Sequence, residues 1–180
     1  AAIANAAGLP YTWTSPLSNW GDAAGLLSGD LHYWGVWHGD EPIAAMADNV
    51  GRFVSEYGFQ SWPDSSLLAK YIDPQELYLG SPALRFRQRS YKTDAPIWKA
   101  IKDEFGEEPK TLGRFIKASQ EVQAKAYQIA IEAQMADQPR CMGTLFWQLN
   151  DCWPGPSWSL IDHDGNWKPG MYAVQRLYAH

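Results

Sequence analysis

The sequence runs to 180 residues, 46% apolar and 19% charged, which places it with ordered globular chains and excludes a disordered one. Its formal charge of −5 comes without any basic run, and phosphate binding needs clustered Lys and Arg, so a nucleic-acid partner is excluded. No apolar stretch approaches ~18 residues, so no membrane-spanning segment is predicted.

Short extended runs alternate with longer helical ones, which predicts an α/β domain on a parallel sheet. Residues 1–7 are Ala-rich and end at Gly8, like the tail of a helix with its C-cap. Extended runs follow at 11–14, stopped by Ser15-Pro16, and at 32–37 after a Gly-rich connection. A short helix is expected within 40–51, beginning at Pro42, and a third strand at 52–57. Short helices and connections should fill 64–90, capped by Asp64 or Ser65. The spacing of Ile97, Trp98, Ile101 and Phe105 predicts a helix closed by Gly106. The longest helix should span about 112–136, with Phe115, Ile116, Val122, Ala126, Ile129, Ala130 and Ala133 on its buried stripe. A fourth strand is expected at 141–148, then a polar, Pro-rich loop, a turn at Asp164-Gly165 and a last helix around 169–178.

Cys141 opens that fourth strand and Cys152 lies beyond its end, roughly 30 Å away along a straight strand at ~3.3 Å per residue, so two unpaired thiols are expected. The four His and two Cys have no zinc-like spacing, and neither metal nor organic cofactor is called for. The first residue is Ala and not Met, so the N-terminus reads as cut, and the compartment stays open.

Three of the four strand candidates end in polar, aromatic clusters: HYWGVWHG at 32–39, SEYGFQSWP at 55–63 and FWQLNDCWPG at 146–155. In a β/α barrel the active site is built at such strand ends. A strand buried on both faces should be apolar along its length, so a carboxylate at Glu56 needs a task or a partner. The task could be catalysis; the partner could be a structural Arg such as Arg52 or Arg85. Ten Trp are far above expectation for this length, so either the core is large or some rings line a binding cleft, such as one for sugars.

The segment RFVSEYGFQSWP closely resembles the nucleophile strand of glycoside hydrolase family 2, in particular its β-mannosidases. The resemblance continues in register through HYWGVWHG upstream and through SPALRFRQRS, EVQAKAYQIAIEA and GTLFWQLNDCWPGPSWSLIDHDGNWKPGMYA downstream. It implies an α/β fold of the TIM-barrel kind, represented by strands five to eight with their helices, so that 1–180 is one partial domain. It also implies hydrolysis of terminal β-linked sugars with retention, Glu56 being the nucleophile. Tyr33 would then be the neighbouring donor that keeps Glu56 ionised, unless it is a core Tyr. Trp147 would form the aromatic floor under the sugar, or serve as core. Trp34, Trp37 and His38 fall where family members contact the sugar; alternation should send Trp34 and Trp37 to opposite sides, so only one is expected in the cleft. Asn150 and Asp151 are weaker candidates, since loop Asn and Asp often cap turns.

One part of the family's pattern is missing. The acid/base Glu belongs to an Asn-Glu pair on strand four, and none of Asn5, Asn19, Asn49, Asn150 and Asn166 is followed by Glu. Asp40 and Glu41 are the nearby acids and look like helix N-terminal residues. The chain thus reads as beginning inside the helix after strand four, and is expected to be inactive by itself. The open sheet edges of a half barrel call for a complement, either the N-terminal half or a second copy. A β-mannoside is the expected ligand. A β-galactosidase or β-glucuronidase of the same family, a noncatalytic sugar-binding module and a purely structural domain remain as alternatives.

Overall fold

The computed structural model of the chain describes residues 2–179. Its centre is a parallel sheet of three short strands in sequence order, β1 (Ser18–Asn19), β2 (Leu31–His32) and β3 (Val54–Glu56). Leu31 pairs with both Ser18 and Val54, and His32 lies opposite Glu56, with a register irregularity between Leu31 and His32. Leu31 and Val54 are wholly buried, as expected of a sheet covered by crossover helices. A fourth extended line, residues 142–147, runs beside β3. The amides of Met142, Leu145 and Trp147 donate to the carbonyls of Arg52, Val54 and Tyr57, and Val54 forms a parallel bridge with Thr144.

The strands are shorter than the sequence suggests, and the first is displaced. Residues 11–14 form no strand, despite the β-favouring Tyr11, Trp13 and Thr14. Tyr11 and Trp13 are exposed there, and the pairing partner of β2 is instead the segment after the Ser15-Pro16 turn. Asp30 fixes this arrangement by accepting from the Leu17 amide at 2.7 Å and the Ser15 hydroxyl at 2.6 Å. The second strand stops at His32 and does not reach Trp37, because the chain turns at once and the His38 amide bonds the Trp34 carbonyl. Two glycines make that turn possible: a Cβ on Gly39 would lie 2.7 Å from the Gly35 carbonyl oxygen.

The helices are α1 (Ala2–Ala6), α2 (Ser65–Leu68), α3 (Pro82–Arg87), α4 (Ala95–Phe105), α5 (Leu112–Ala136) and α6 (Pro169–Tyr178). Ala1, within the first expected helix, lies outside the described residues. The helix expected from Pro42 is a 3-10 helix, Ile43–Ala47. Helix α4 ends on Gly106 in the left-handed conformation that glycine tolerates at a C-cap. Helix α5 starts at Thr111, whose side chain accepts from the Arg114 amide, and its rows of Phe115, Ile116, Val122, Ala126 and Ala130 are buried. Ile129 and Ala133 are only partly buried. Their places on the inner face are taken by Ser119, Gln120, Gln123 and Tyr127, an unusual set of polar groups to bury. Cys141 is buried and Cys152 exposed, and the two are not joined.

Candidate active site

Glu56 closes β3, and parallel pairing sets it beside His32 at the end of β2. His32 Nδ1 lies 3.1 Å from Glu56 Oε2, and the Trp34 indole N–H donates to the same oxygen at 3.2 Å. Residues 32 and 34 share a side of the chain by simple alternation, and the intervening Tyr33 points away. The Tyr33 hydroxyl donates to Glu41 at 2.5 Å and accepts from Asn49. Tyr33 is therefore not the donor to Glu56 that the sequence suggested; the Trp34 indole donates to it, and His32 lies beside it. Burial, and then the Glu41 carboxylate, push the Tyr33 phenol well above its ordinary value, so it stays a protonated donor. Neither Arg52 nor Arg85 pairs with Glu56 among the described residues.

Behind His32 a second shell of polar groups is anchored on Asp30. The Ser15 hydroxyl donates to Asp30 and lies 3.5 Å from His32 Nε2, while Ser55 donates to Asp30 at 2.7 Å. Burial works to raise the Asp30 pKa, but the bonds from Ser15, Ser55 and the Leu17 amide outweigh it and hold the carboxyl below its usual value. His32, Ser15, Asp30 and Ser55 all escaped sequence reasoning. The signal for His32 was available, since alternation ties its side to that of Trp34.

The aromatic residues divide as alternation requires. Trp34 is partly exposed and meets His38 and Trp158 edge-on, with ring centroids 5.4 and 5.9 Å away. Trp37 is fully buried against Phe59 and Trp158, so it belongs to the core and not to the cleft. His38 lies between Trp20 and Tyr91, with Nδ1 2.9 Å from the Tyr91 hydroxyl. Burial, then the charge on Lys92, lower its pKa, so it favours the neutral form. Trp147 is 44% exposed, and its amide is bonded to the carbonyl of Tyr57, next to Glu56. Asp151 turns inward to accept from the amides of Cys152 and Trp153 and from the hydroxyls of Ser157 and Ser159, a loop-forming role.

The other acids are engaged elsewhere: Asp40 pairs with Lys92, and Glu41 with Tyr33. Nor is the site an enclosed pocket on this chain. A well-formed cleft of about 360 Å³ lies between α4 and α5, lined by Ile101, Phe105, Pro109 and Arg114, away from Glu56. The strand ends form an open surface on which Trp34, Glu56 and Trp147 are all accessible. Among the described residues no cluster of His, Cys, Asp and Glu could hold a metal ion, and no helix is long and apolar enough to cross a membrane.

No protein-family model matches the chain. It is 32% identical to a β-mannosidase B of Aspergillus terreus over 176 residues, 93% of this chain and 21% of that protein. A β-mannosidase B of Emericella nidulans matches at 32% over 177 residues. The crystal structure of a β-D-mannosidase from Dictyoglomus thermophilum superposes with a TM-score of 0.80 at 34% identity, covering 83% of this chain and 18% of that one. An exo-chitosanase of Amycolatopsis orientalis, 16% identical, shares the fold with a TM-score of 0.58 over 76% of this chain. The chain spans about a fifth of the length of the relatives it matches. By sequence along nearly its whole length, and by fold, the chain is a relative of the β-mannosidases.

Proposed function

We propose that the chain is the nucleophile-bearing part of a retaining exo-β-mannosidase, with Glu56 forming the glycosyl-enzyme. The observation that carries this reading is a carboxylate at the end of a parallel strand whose Oε2 accepts from the Trp34 indole N–H at 3.2 Å and lies 3.1 Å from His32 Nδ1. The Trp34 bond to Oε2 orients the carboxylate, and Oε1 is left to attack the anomeric carbon. The C1–O bond to the leaving group breaks as the C1–Oε1 bond forms, and the departing oxygen takes a proton from a general acid. Water then attacks C1, gives up its proton to that same residue and releases Glu56.

The general acid must stand about 5–5.5 Å from the nucleophile. Asp40 and Glu41 are committed to Lys92 and Tyr33, which favours an acid supplied from outside these residues. We take the parallel sheet as strands five to eight of a β/α barrel whose first half provides that acid. Trp13, Leu27, Leu145 and Leu149, all about half exposed or more, are apolar surface for the first half to cover. Within the completed barrel Trp147 forms the floor under the sugar, Trp34 flanks both sugar and nucleophile, and His38 offers a hydroxyl partner. No cofactor enters the reaction.

The test is hydrolysis of chromogenic β-mannoside, β-galactoside and β-glucuronide by the 180 residues and by the longer protein that contains them. Cleavage of the mannoside by the longer protein alone, lost in Glu56→Ala, is expected. Equal cleavage by the 180 residues would overturn the missing acid, preference for another glycoside would overturn the sugar, and binding without turnover would favour a noncatalytic module.

A further inference from the structure

Helix α5 buries the polar side chains of Ser119, Gln120, Gln123 and Gln134 and the hydroxyl-bearing ring of Tyr127. A row of buried polar groups on a core face is costly unless every one has a partner. Ser119 also donates to Ile116 within the helix, and the Gln134 oxygen has no partner among the described residues, but the other partners of Ser119, Gln120, Gln123 and Tyr127 lie in the segments that leave the strand ends. Ser119 accepts from the Trp62 amide, and Gln120 donates to the Trp62 carbonyl at 3.0 Å. The Gln123 amide reaches the carbonyls of Phe59, Trp158 and Ser159. One turn further on, the Tyr127 hydroxyl donates to the carbonyls of Trp147 at 2.6 Å and Trp158 at 2.8 Å, sharing its one proton between them.

Residues 147 and 158 are the two ends of the loop that carries Asn150, Asp151 and Trp153, so the hydroxyl bridges the neck of that loop beside the backbone bond from the Gln148 amide to the Trp158 carbonyl. The fit around it is tight: a Cβ on Gly58 would fall 2.1 Å from the Trp147 carbonyl oxygen and 3.0 Å from the Tyr127 hydroxyl. Burial pushes the Tyr127 phenol far above its ordinary value, against a smaller opposing bond from the Phe59 backbone, so the group remains a donor. The ring itself needs no hydroxyl for its contacts with Tyr57 and Phe146, at centroid distances of 6.0 and 5.6 Å; a Phe would fill the same space. The hydroxyl therefore has a role that core filling does not explain.

We propose that Tyr127 is a positioning residue that sets the Trp147 ring by holding the Trp147 carbonyl from the far side of the sheet. This rests on the reading of Trp147 as the floor of the sugar site. Tyr127→Phe in the full-length protein is expected to lower kcat/KM for a β-mannoside roughly tenfold, the effect of one lost buried hydrogen bond. In a Trp147→Ala background the same substitution should change kcat/KM less than twofold, because the ring it positions is gone. A tenfold loss in both backgrounds means a general structural role and overturns the proposal. Labelling with 5-fluorotryptophan gives a readout that needs no activity. The ¹⁹F resonance of Trp147, assigned with Trp147→Phe, should move or broaden in Tyr127→Phe while that of Trp20 stays. An unmoved Trp147 resonance overturns the positioning role; a moved one in a protein that cleaves no mannoside sinks the substrate reading and leaves the positioning role standing. Tyr127→Met, also without a hydroxyl, serves the same comparisons if Tyr127→Phe does not fold.

Discussion

Lys168, the residue before α6, is 3% exposed, and among the described residues its ammonium has one hydrogen-bond partner, the Ser61 hydroxyl at 3.0 Å. Burial lowers its pKa from 10.5 to about 7, only partly opposed by the charges of Asp151, Asp162 and Asp64. Between pH 7 and 10.5 the unfolded chain therefore binds a proton that the folded chain has released, so stability must rise with pH through that window. At about 1.36 kcal/mol per unit, the rise from pH 7 to 9.5 would reach roughly 3 kcal/mol, and relaxation of the buried site makes that an upper figure. Above about pH 10 the trend should reverse: the raised phenols of Tyr33, Tyr57 and Tyr127 remain protonated in the folded state and ionise in the unfolded one. Lys168→Met removes the lysine's titration and leaves the others in place. Urea unfolding of both proteins, followed by circular dichroism from pH 6 to 9.5, isolates the lysine as the difference between the two curves. The parent should gain stability relative to Lys168→Met as pH rises, most steeply above pH 7. A difference that is flat over that range would mean Lys168 stays charged in the fold, and would refute the argument from burial.

Two further substitutions probe the site's construction. Gly58→Ala should destabilise the fold by about 3 kcal/mol or more, seen as a lower urea midpoint, because its Cβ would meet the backbone oxygen of Trp147 at 2.1 Å and no side chain there can yield. Trp34→Phe keeps an aromatic ring, though a smaller one, and removes one donor from Glu56, a bond to a carboxylate worth about 1.5–3 kcal/mol. Its kcat/KM for β-mannoside should fall roughly 10–100-fold in the longer protein, and Trp34→Tyr, which restores a donor, should recover part of that; equal losses in the two would assign the effect to ring shape.

Where the sequence spoke clearly, the signal was local. Gly106, Thr111 and the apolar spacing of α5 fix helix ends and face through short-range chemistry, and the structure follows them. Glu56 drew notice because a carboxylate at the end of an apolar run has few uses, and its place at the end of β3 follows that reading of the strand. The partners of Glu56 were not legible, since His32 and Trp34 reach it only through the pairing of β2 with β3. Tyr33 was expected as a partner from its place at the end of the neighbouring strand, but alternation turns it toward Glu41, as the alternative of a core Tyr requires. The strand expected at 11–14 failed because β-propensity describes a half-buried surface, and Trp13 is 77% exposed. Tyr127 and Gln123 fell within a helical stripe that reads as core, and only the backbone carbonyls opposite them give their polar atoms a purpose.

The most direct test of Glu56 as nucleophile is trapping of the glycosyl-enzyme. The longer protein would be incubated with a 2-deoxy-2-fluoro-β-mannosyl fluoride, which forms the covalent intermediate readily and releases it slowly, and then digested for mass spectrometry. The expected result is one added fluoromannosyl group on the peptide containing Ser55, Glu56 and Tyr57, absent from Glu56→Gln. A label on any other carboxylate, or turnover that persists in Glu56→Gln, would contradict the assignment.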